Sequence, residues 1–307
     1  MMPSNIRHWM VMLSLAAAVS LCLPAAEQEK PPEFKPEVRK LGESLHEIRI
    51  SGVTILALAG PEGTLLVDAG YEVMGDAIAK TLKNLDAFPP RFIVDTHWHF
   101  DHTGGNLVFG KEALVLAHRS VLEVLSKDTM LLGTLRKAYP EEARPDLVFE
   151  HPVELRLNGE RIVITPIPGG HTAGDAVVLF EKANVLHAGD MVFADMFPFV
   201  DVDHGGSVVR LADNLQTLID LAPEGVTILP GHGRPLTVED VKVYRKMVLE
   251  TTVLVKKEMA KGVALETLRK SDLLKDWEGW AKAFSSADWI EFTYKSLQRN
   301  EGVSPNI

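Results

Sequence analysis

Apolar and polar residues alternate along this chain in two ways. Some segments are short apolar runs, which are typical of buried strands. In longer segments apolar residues recur every three or four positions, as on one face of a helix. The short runs predict strands over residues 46–50, 53–59, 64–67, 91–94, 113–117, 153–157, 162–167, 176–180, 185–187 and 226–229. The longer pattern predicts helices over residues 73–85, from 120 to about 139, over 208–221 and from 238 to about 297.

These predicted elements fall into two batches, each with strands followed by helices. Such an order is typical of two β-rich halves with helices on the outside. The chain shows no internal repeat, and no change in composition marks a second domain. We therefore expect a single α/β domain over residues 41–307 that ends in a helical extension.

Residues 1–26 have the pattern of a secretory signal peptide. Arg7 gives a weakly basic start, and the uncharged apolar run over residues 10–23 is shorter than the ~20 residues that span a bilayer. Pro24-Ala25-Ala26 provides the small residues of a cleavage site, whereas a buried helix or a retained anchor is the alternative. Residues 27–40 carry prolines and charges and predict an extended leader. We expect a periplasmic or secreted protein.

Composition narrows the class of partner. The 307 residues include 32 basic and 42 acidic side chains, and the net charge of −10 disfavours nucleic acid, which needs a basic surface. The one cysteine, Cys22, excludes an intrachain disulfide and any multi-cysteine metal site, and Leu21 before it disfavours lipid attachment. No other segment is long and apolar enough to span a membrane, so no stable insertion is expected after cleavage. A small-molecule substrate remains the expected partner, and the sequence leaves the oligomeric state open.

Three of the 11 histidines fall within six residues, in the segment Thr96-His97-Trp98-His99-Phe100-Asp101-His102. His97 and His99 are two positions apart, so in an extended segment their side chains point the same way. Asp101 and His102 add an oxygen and a further nitrogen directly after a predicted buried strand. Imidazole and carboxylate suit Zn²⁺ and, less selectively, Fe or Mn. A surface histidine cluster is the alternative, which the ordered context disfavours.

The same design recurs at three later strand ends. His171 lies in Gly-Gly-His-Thr after the strand at 162–167, and Asp190 lies in His-Ala-Gly-Asp after the strand at 185–187. His232 lies in Pro-Gly-His-Gly after the last predicted strand. Glycine beside each residue lets the backbone turn sharply and approach the site. Four strand ends built alike predict one metal site.

This ordered set of motifs resembles the metallo-β-lactamase-fold superfamily, from Leu45 to His232. Val67-Asp68-Ala69-Gly70 also matches that family's pattern. The resemblance implies an α/β fold, a four-layer αββα sandwich of two mixed β-sheets flanked by helices. It is specific for fold and metal site but not for substrate, because the superfamily hosts many reactions.

The resemblance also implies two adjacent metal ions, taken here as two Zn²⁺ per chain with Fe or Mn left open. Three residues would hold the first ion, three the second, and one would bridge both: His97, His99 and His171; Asp101, His102 and His232; and Asp190. Asp68 would support the metal loop through hydrogen bonds, and an ordinary helix-capping role is its alternative.

The implied chemistry is metal-assisted hydrolysis. The paired ions would lower the pKa of a bound water to ~7, and the bridging hydroxide would attack a carbonyl or phosphorus centre. Asp101 would act as the catalytic carboxylate that orients this nucleophile. Dedicated β-lactamases usually have cysteine or serine where this chain has Asp190. We therefore expect an exported hydrolase of an ester, lactone or β-lactam-type bond, with weak β-lactamase activity left open.

Two other functions remain open. One is a non-catalytic or redox-partner metal-binding protein, and the other is an iron-loaded oxidoreductase on the same ligands.

A glyoxalase II-like enzyme could hold glutathione with Lys256, Lys257 and Lys261. His204, between two ligand motifs, is a candidate substrate contact. An aromatic-rich cluster near Asp190 either lines a substrate pocket or belongs to the core: Phe193, Met196, Phe197 and Phe199.

Overall fold

The computed structural model describes residues 34–302, with the side chains described up to residue 299. The predicted signal peptide and residues 27–33 of the predicted leader lie outside the described residues. The rest of the leader runs from Phe34 into strand β1 (Glu37–Lys40), which pairs with the next strand in antiparallel register.

The described residues form strands, α-helices and short 3-10 turns in an alternating order. The remaining strands are β2 (Leu45–Ile50), β3 (Val53–Leu58), β4 (Thr64–Val67), β5 (Pro90–Val94), β6 (Leu114–His118), β7 (Thr129–Leu131), β8 (Thr134–Arg136), β9 (Leu147–Phe149), β10 (Val153–Leu157), β11 (Glu160–Pro166), β12 (Ala176–Phe180), β13 (Val185–Phe193) and β14 (Thr227–His232). The α-helices are α1 (Gly75–Asn84), α2 (Phe100–Thr103), α3 (Asn106–Phe109), α4 (Arg119–Leu125), α5 (Val208–Leu221), α6 (Val238–Ala260), α7 (Leu265–Leu268) and α8 (Ser286–Gly302). The 3-10 turns are Glu72–Met74, Glu141–Ala143, Val202–His204 and Lys275–Trp280.

The large β-sheet consists of two halves. In the N-terminal half, β2, β3 and β4 pair in antiparallel register, and β4, β5, β6 and β9 pair in parallel. In the C-terminal half, β10 to β13 are antiparallel and β14 lies parallel to β13. The halves are joined where β14 meets β3, through the residue pair His232 and Val53. Both halves are therefore mixed, as predicted.

Alternate residues of the strands face different cores. On β3, Leu56 and Leu58 join a core between the two halves, which also contains Val178 and Phe180 of β12. The opposite face of the N-terminal half packs on α1, and the C-terminal half packs on α5, α6 and α8. This four-layer order of helix, sheet, sheet and helix confirms the predicted αββα sandwich.

The helical C-terminal segment is interrupted rather than continuous. Helix α6 begins at a capping box, in which Thr237 and Asp240 satisfy each other's backbone N–H groups. It ends before Gly262, whose φ of +80° suits glycine. The buried Trp289 of α8 donates its indole N–H to Thr251 of α6, which fixes the two helices together. Among the helices of residues 34–302, none is both long enough and apolar enough to cross a bilayer.

The predicted helix from residue 120 to about 139 is wrong beyond Leu125. The chain instead forms a β-hairpin of β7 and β8, closed by the two residues Leu132 and Gly133 with φ of +48° and +76°. Positive φ at both central residues is the requirement of a tight hairpin turn, which a helical pattern cannot meet. The side chain of Leu131 is buried and that of Met130 is exposed, the alternation of a strand. Strand β9, which the apolar pattern missed, is only three residues long.

Candidate metal centre

Asp68 anchors the loop that carries the histidine cluster. It follows β4 with a φ of +60°, is fully buried, and accepts hydrogen bonds from the backbone N–H and the hydroxyl of Thr96 at 2.8 and 2.9 Å. Its Oδ2 also lies 2.7 Å from Nδ1 of His102. The 3-10 turn that follows begins at Glu72, after Tyr71, so the structure places Asp68 in the loop network and not at a helix start.

The first ligand group consists of His97, His99 and His171, all buried. Nδ1 of His99 lies 3.1 Å from Nε2 of His97 and 2.9 Å from Nε2 of His171. The opposite ring nitrogens are engaged elsewhere: His171 Nδ1 donates to the Phe199 carbonyl at 2.8 Å, and His99 Nε2 lies 3.1 Å from Asp201.

The proton of each of these imidazoles therefore faces outward. The Thr96 hydroxyl donates to Asp68, so it is left to accept from His97 Nδ1 at 3.0 Å. With the outward nitrogens protonated, the inward nitrogens present lone pairs to a common point. Burial lowers the pKa of His97 well below its usual range and that of His171 to about 4, which keeps both rings neutral.

The second ligand group consists of Asp101, His102 and His232. Its ligand atoms lie 3.1 to 3.4 Å apart, and Nδ1 of His232 donates to the Gly52 carbonyl at 3.0 Å. Asp101 and His102 project from the single turn of α2. The side chains of Asp101 and His232 are 14% and 22% exposed, so this group faces the open side of the site.

Asp190 lies between the two groups. Its Oδ2 is 3.6 Å from Nε2 of His171 and 3.4 Å from Nε2 of His232, and its Oδ1 is 3.3 Å from Nε2 of His102. A Cβ atom at Gly231 would come within 2.1 Å of Asp190 Oδ1. Glycine at that position is therefore a condition for the carboxylate to sit between the groups.

The charges of the second group favour a cation. Burial opposes protonation of His102 and His232, but the carboxylates of Asp190 and Asp101 outweigh it. They hold the pKa of His102 well above its usual value and raise that of His232 to about 10. A metal ion bound there would replace the proton and release it.

The donor set fits divalent metal ions. The seven residues form two sets of converging nitrogen and oxygen atoms, His97, His99, His171 and Asp190 in one and Asp101, His102 and His232 in the other. The buried Asp190 Oδ1 has no hydrogen-bond partner in the described part of the chain. Imidazole nitrogens with carboxylate oxygens are ligands that Zn²⁺ accepts.

Two supporting carboxylates were missed by the sequence analysis. Asp201 lies beside His99 and also within 2.9 Å of Nδ1 of His204. Asp175 accepts the backbone N–H groups of Gly170, His171 and Thr172, which shapes the loop of the third histidine. Burial raises the pKa of Asp175 to about 7. Its signal in the sequence was the Thr-x-x-Asp spacing after His171.

The remaining candidates occupy different places. His204 lies behind His99, linked to it through Asp201, with its ring 4.9 Å from that of Trp98. Phe193 stacks on His232 at 5.3 Å and Phe199 lies 5.4 Å from His99, so these two aromatic rings flank the ligands.

The rest of the aromatic-rich cluster and the lysines lie away from the ligands. Phe197 is in the core against Trp289, and Met196 is half-buried beside that core. Lys256, Lys257 and Lys261 are exposed on or just after α6, and Lys261 pairs with Glu258.

A comparison with known protein families decides the identity of the fold. Residues 49–232, more than half of the chain, match the model of the metallo-beta-lactamase superfamily. The chain belongs to the metallo-beta-lactamase superfamily. This confirms the family indicated by the ordered ligand motifs, and the matched segment ends at His232.

Curated relatives within the superfamily carry several names. The chain is 31% identical over 181 residues to a hydroxyacylglutathione hydrolase of Anaeromyxobacter dehalogenans, covering 58% of this chain and 60% of that protein. It is 25% identical over 228 residues to the atrochrysone carboxyl ACP thioesterase AacuM of Aspergillus aculeatus, covering 71% and 63%. It is 26% identical over 200 residues to the lactamase-like protein aptB of Emericella nidulans, covering 64% and 56%. Each match spans less than two thirds of the relative.

Solved structures show the same fold. A metallo-beta-lactamase from Pontibacter korlensis superimposes with a TM-score of 0.58 at 20% identity, covering 70% of this chain and 99% of that one. The sec-alkyl sulfatase PisA1 superimposes with a TM-score of 0.66 at 15% identity, covering 88% of this chain and 51% of that one. At these identities the likeness establishes architecture alone.

Proposed function

We propose that this protein is a hydrolase that depends on two divalent cations, with zinc as the expected metal. The observation that carries the proposal is the position of Asp190 between two groups of converging donors. A single carboxylate in contact with both groups is what a pair of adjacent cations requires, because it offsets their mutual repulsion. The outward nitrogen of every histidine ligand has its own partner, so the donors are held in place before any ion binds.

The residues of the site have different roles in the proposed hydrolysis. When bound, two divalent cations supply Lewis acidity and make hydroxide available from water near neutral pH. Asp101 faces the open side of the site, where its carboxylate can orient the attacking water and hold its proton. Phe193 and Phe199 flank the ligands and limit the access of bulk water. In the overall reaction, water adds to the acyl carbon and the alcohol, thiol or amine leaves with a proton.

An acyl bond is the best-supported class of substrate. Two of the relatives are named as a hydroxyacylglutathione hydrolase and as an atrochrysone carboxyl ACP thioesterase. Asp190 at the bridging position is consistent with the ester and lactone bonds expected from the sequence. The four-layer fold alone cannot choose among these bonds, because the superfamily hosts many reactions.

A panel of initial rates tests the proposal. The zinc-loaded chain from Glu27 onward is assayed with a thioester, an aryl ester, a lactone, a chromogenic cephalosporin and a bis-aryl phosphodiester. We expect turnover of an acyl substrate that Asp101→Ala abolishes. The matched control Asp213→Asn removes an exposed carboxylate on α5 and leaves the rate unchanged. Turnover of no substrate above the Asp101→Ala background would contradict a hydrolase.

Metal analysis separates the two other functions. A stoichiometry of two zinc ions per chain supports the proposal, whereas iron with visible absorbance supports an oxidoreductase on the same ligands. Two tightly bound ions with no turnover of any panel substrate support a metal-binding or redox-partner protein.

We also propose that the protein is exported and cleaved after Ala26. The basis is the apolar run over residues 10–23 followed by Pro24-Ala25-Ala26. Intact mass and N-terminal sequencing of the protein expressed in a bacterium would then show a chain that begins at Glu27 in the periplasmic or extracellular fraction. An uncleaved chain in the cytoplasmic fraction would contradict export.

A further inference from the structure

A cavity of about 400 Å³ lies beside the ligand loop and contains none of the seven metal-ligand candidates. Its walls come from the loop after β4, the histidine-cluster loop, α4 and the β7–β8 hairpin. We call it the hairpin cavity, and its lining residues include Tyr71, Trp98, Phe100, Leu125 and Arg136. A volume of this size holds a small organic ligand.

Arg136 places a positive charge in the wall of the hairpin cavity. Its guanidinium carbon lies 3.6 Å from the centre of the Phe100 ring. Its Nε is buried and has no hydrogen-bond acceptor within residues 34–302, and the residue lines the cavity. A guanidinium held over an aromatic ring with an unsatisfied N–H favours an anionic ligand, above all a planar carboxylate.

The other polar groups of the cavity fit the same ligand. The indole N–H of Trp98 is a second buried donor for which the described chain provides no acceptor. Lys127 adds an exposed positive charge to the wall, whereas Lys137 is engaged by Asp128 at 2.6 Å. Glu72, the acidic residue of the wall, is exposed to solvent. Two residues that line the cavity, Arg136 and Trp98, thus each carry a buried donor without a partner, beside an apolar wall that includes Leu125.

The hairpin cavity borders the second ligand group. Phe100 directly precedes Asp101, and the Tyr71 ring lies 5.3 Å from the Phe100 ring. Burial raises the pKa of Tyr71; Asp101 raises it further and Arg136 lowers it, so the hydroxyl is within electrostatic range of both. Tyr71 and Phe100 therefore lie at the edge of the cavity nearest Asp101 of the metal centre.

We propose that the hairpin cavity binds the acyl part of the substrate, an apolar chain whose far end carries a carboxylate that pairs with Arg136. The position of the scissile bond at the metal centre rests on the proposed function. The binding of the carboxylate does not, because it depends on the cavity walls alone.

Matched thioesters test the kinetic consequence. S-phenyl thioesters of hexanoic acid and of adipic acid have acyl chains of equal length, and only the adipate ends in a carboxylate. Homologues with acyl chains of four to eight carbons measure the distance between the scissile bond and the bound carboxylate. We expect kcat/KM to favour the carboxylate-ended member at the best length. Arg136→Gln should reduce that preference about tenfold, the worth of a charge-assisted hydrogen bond, with the larger loss of kcat/KM on the carboxylate-ended substrate. The control Arg156→Gln removes an arginine on β10, outside the cavity.

A binding measurement separates the two proposals. N-phenyladipamic acid and N-phenylhexanamide, whose anilide bonds resist hydrolysis, are titrated by calorimetry into wild type, Arg136→Gln and Arg136→Lys. We expect the acid to bind about tenfold more weakly to Arg136→Gln, with Arg136→Lys intermediate. Arg136-dependent binding without turnover of any thioester upholds the cavity and overturns the hydrolase. Turnover with a preference that Arg136→Gln leaves unchanged upholds the hydrolase and overturns the cavity; if Arg136→Gln fails to fold, Arg136→Lys decides.

Discussion

The two ligand groups of the metal centre differ in how the fold holds them. The first group, His97, His99 and His171, is buried, and its outward nitrogens bind a hydroxyl, a carboxylate and a carbonyl. The second group contains a carboxylate and two histidines under strong negative influence, and it is partly open to solvent. The first group is thus held like side chains of the core, whereas the second group lies where the site opens to solvent. We expect the ion of the second group to exchange more readily, and the experiments below test that difference.

Asp190→Asn should have the largest effect, because Asp190 contacts both groups. We expect the loss of both ions and a fall in hydrolysis of more than about a hundredfold. Metal analysis after gel filtration and initial rates measure the two quantities. An Asp190→Asn variant that keeps two ions per chain would refute a shared ligand, whereas loss of one ion alone would assign Asp190 to one group.

His171→Ala and His232→Ala compare the two groups in stability. Removal of the buried His171 leaves a cavity and an unpaired Phe199 carbonyl, so the free energy of unfolding should fall by about 2 to 4 kcal/mol. His232 is 22% exposed, and at a pH above its pKa of about 10, where its ring is neutral and no longer pairs with Asp101 and Asp190, its loss should cost about 1 kcal/mol. Urea denaturation with chelator present measures both without the contribution of metal. Equal losses of unfolding free energy in the two variants would contradict the difference between a buried and a partly exposed ligand group.

Asp68→Asn and Asp201→Asn compare the supports of the two groups. Asp68 holds His102 and Asp201 holds His99, so each variant should weaken its own ion about 10- to 100-fold. Asp68 also accepts two bonds from Thr96, which places it at the upper end of that range. Competition with a chromogenic chelator resolves the two affinities. If both variants weakened the same ion, the assignment of supports to groups would be wrong.

His204→Gln should have the smallest effect. The His204 ring lies behind Asp201, and glutamine can still donate to that carboxylate. We expect kcat/KM to change by less than about threefold across the substrate panel, with metal content intact. A larger change in KM for one substrate only would support the substrate contact that the sequence suggested for His204.

The seven candidate ligands could be found from the sequence because each lies at the end of an apolar run and beside a short motif. Asp201 could not, because it is 102 positions from His99 and only the packing of the fold brings them together. The β7–β8 hairpin escaped prediction for a local reason. Its turn, Leu132-Gly133, places positive φ on a leucine, which no apolar pattern reveals. The hairpin cavity was missed with it, since one wall is that hairpin.

The junction between the two sheet halves has a mechanical consequence. In the described chain, strand pairing across it rests on His232 and Val53. The candidate ligands come from both sides, with the 97–102 cluster on one and His171, Asp190 and His232 on the other. A pair of bound ions would therefore add a cross-link between two halves that otherwise meet at one strand pair, a few loop hydrogen bonds and a shared apolar core. Pulled apart in an optical trap, the metal-loaded protein should rupture at a higher force than the chelated protein, and along this seam.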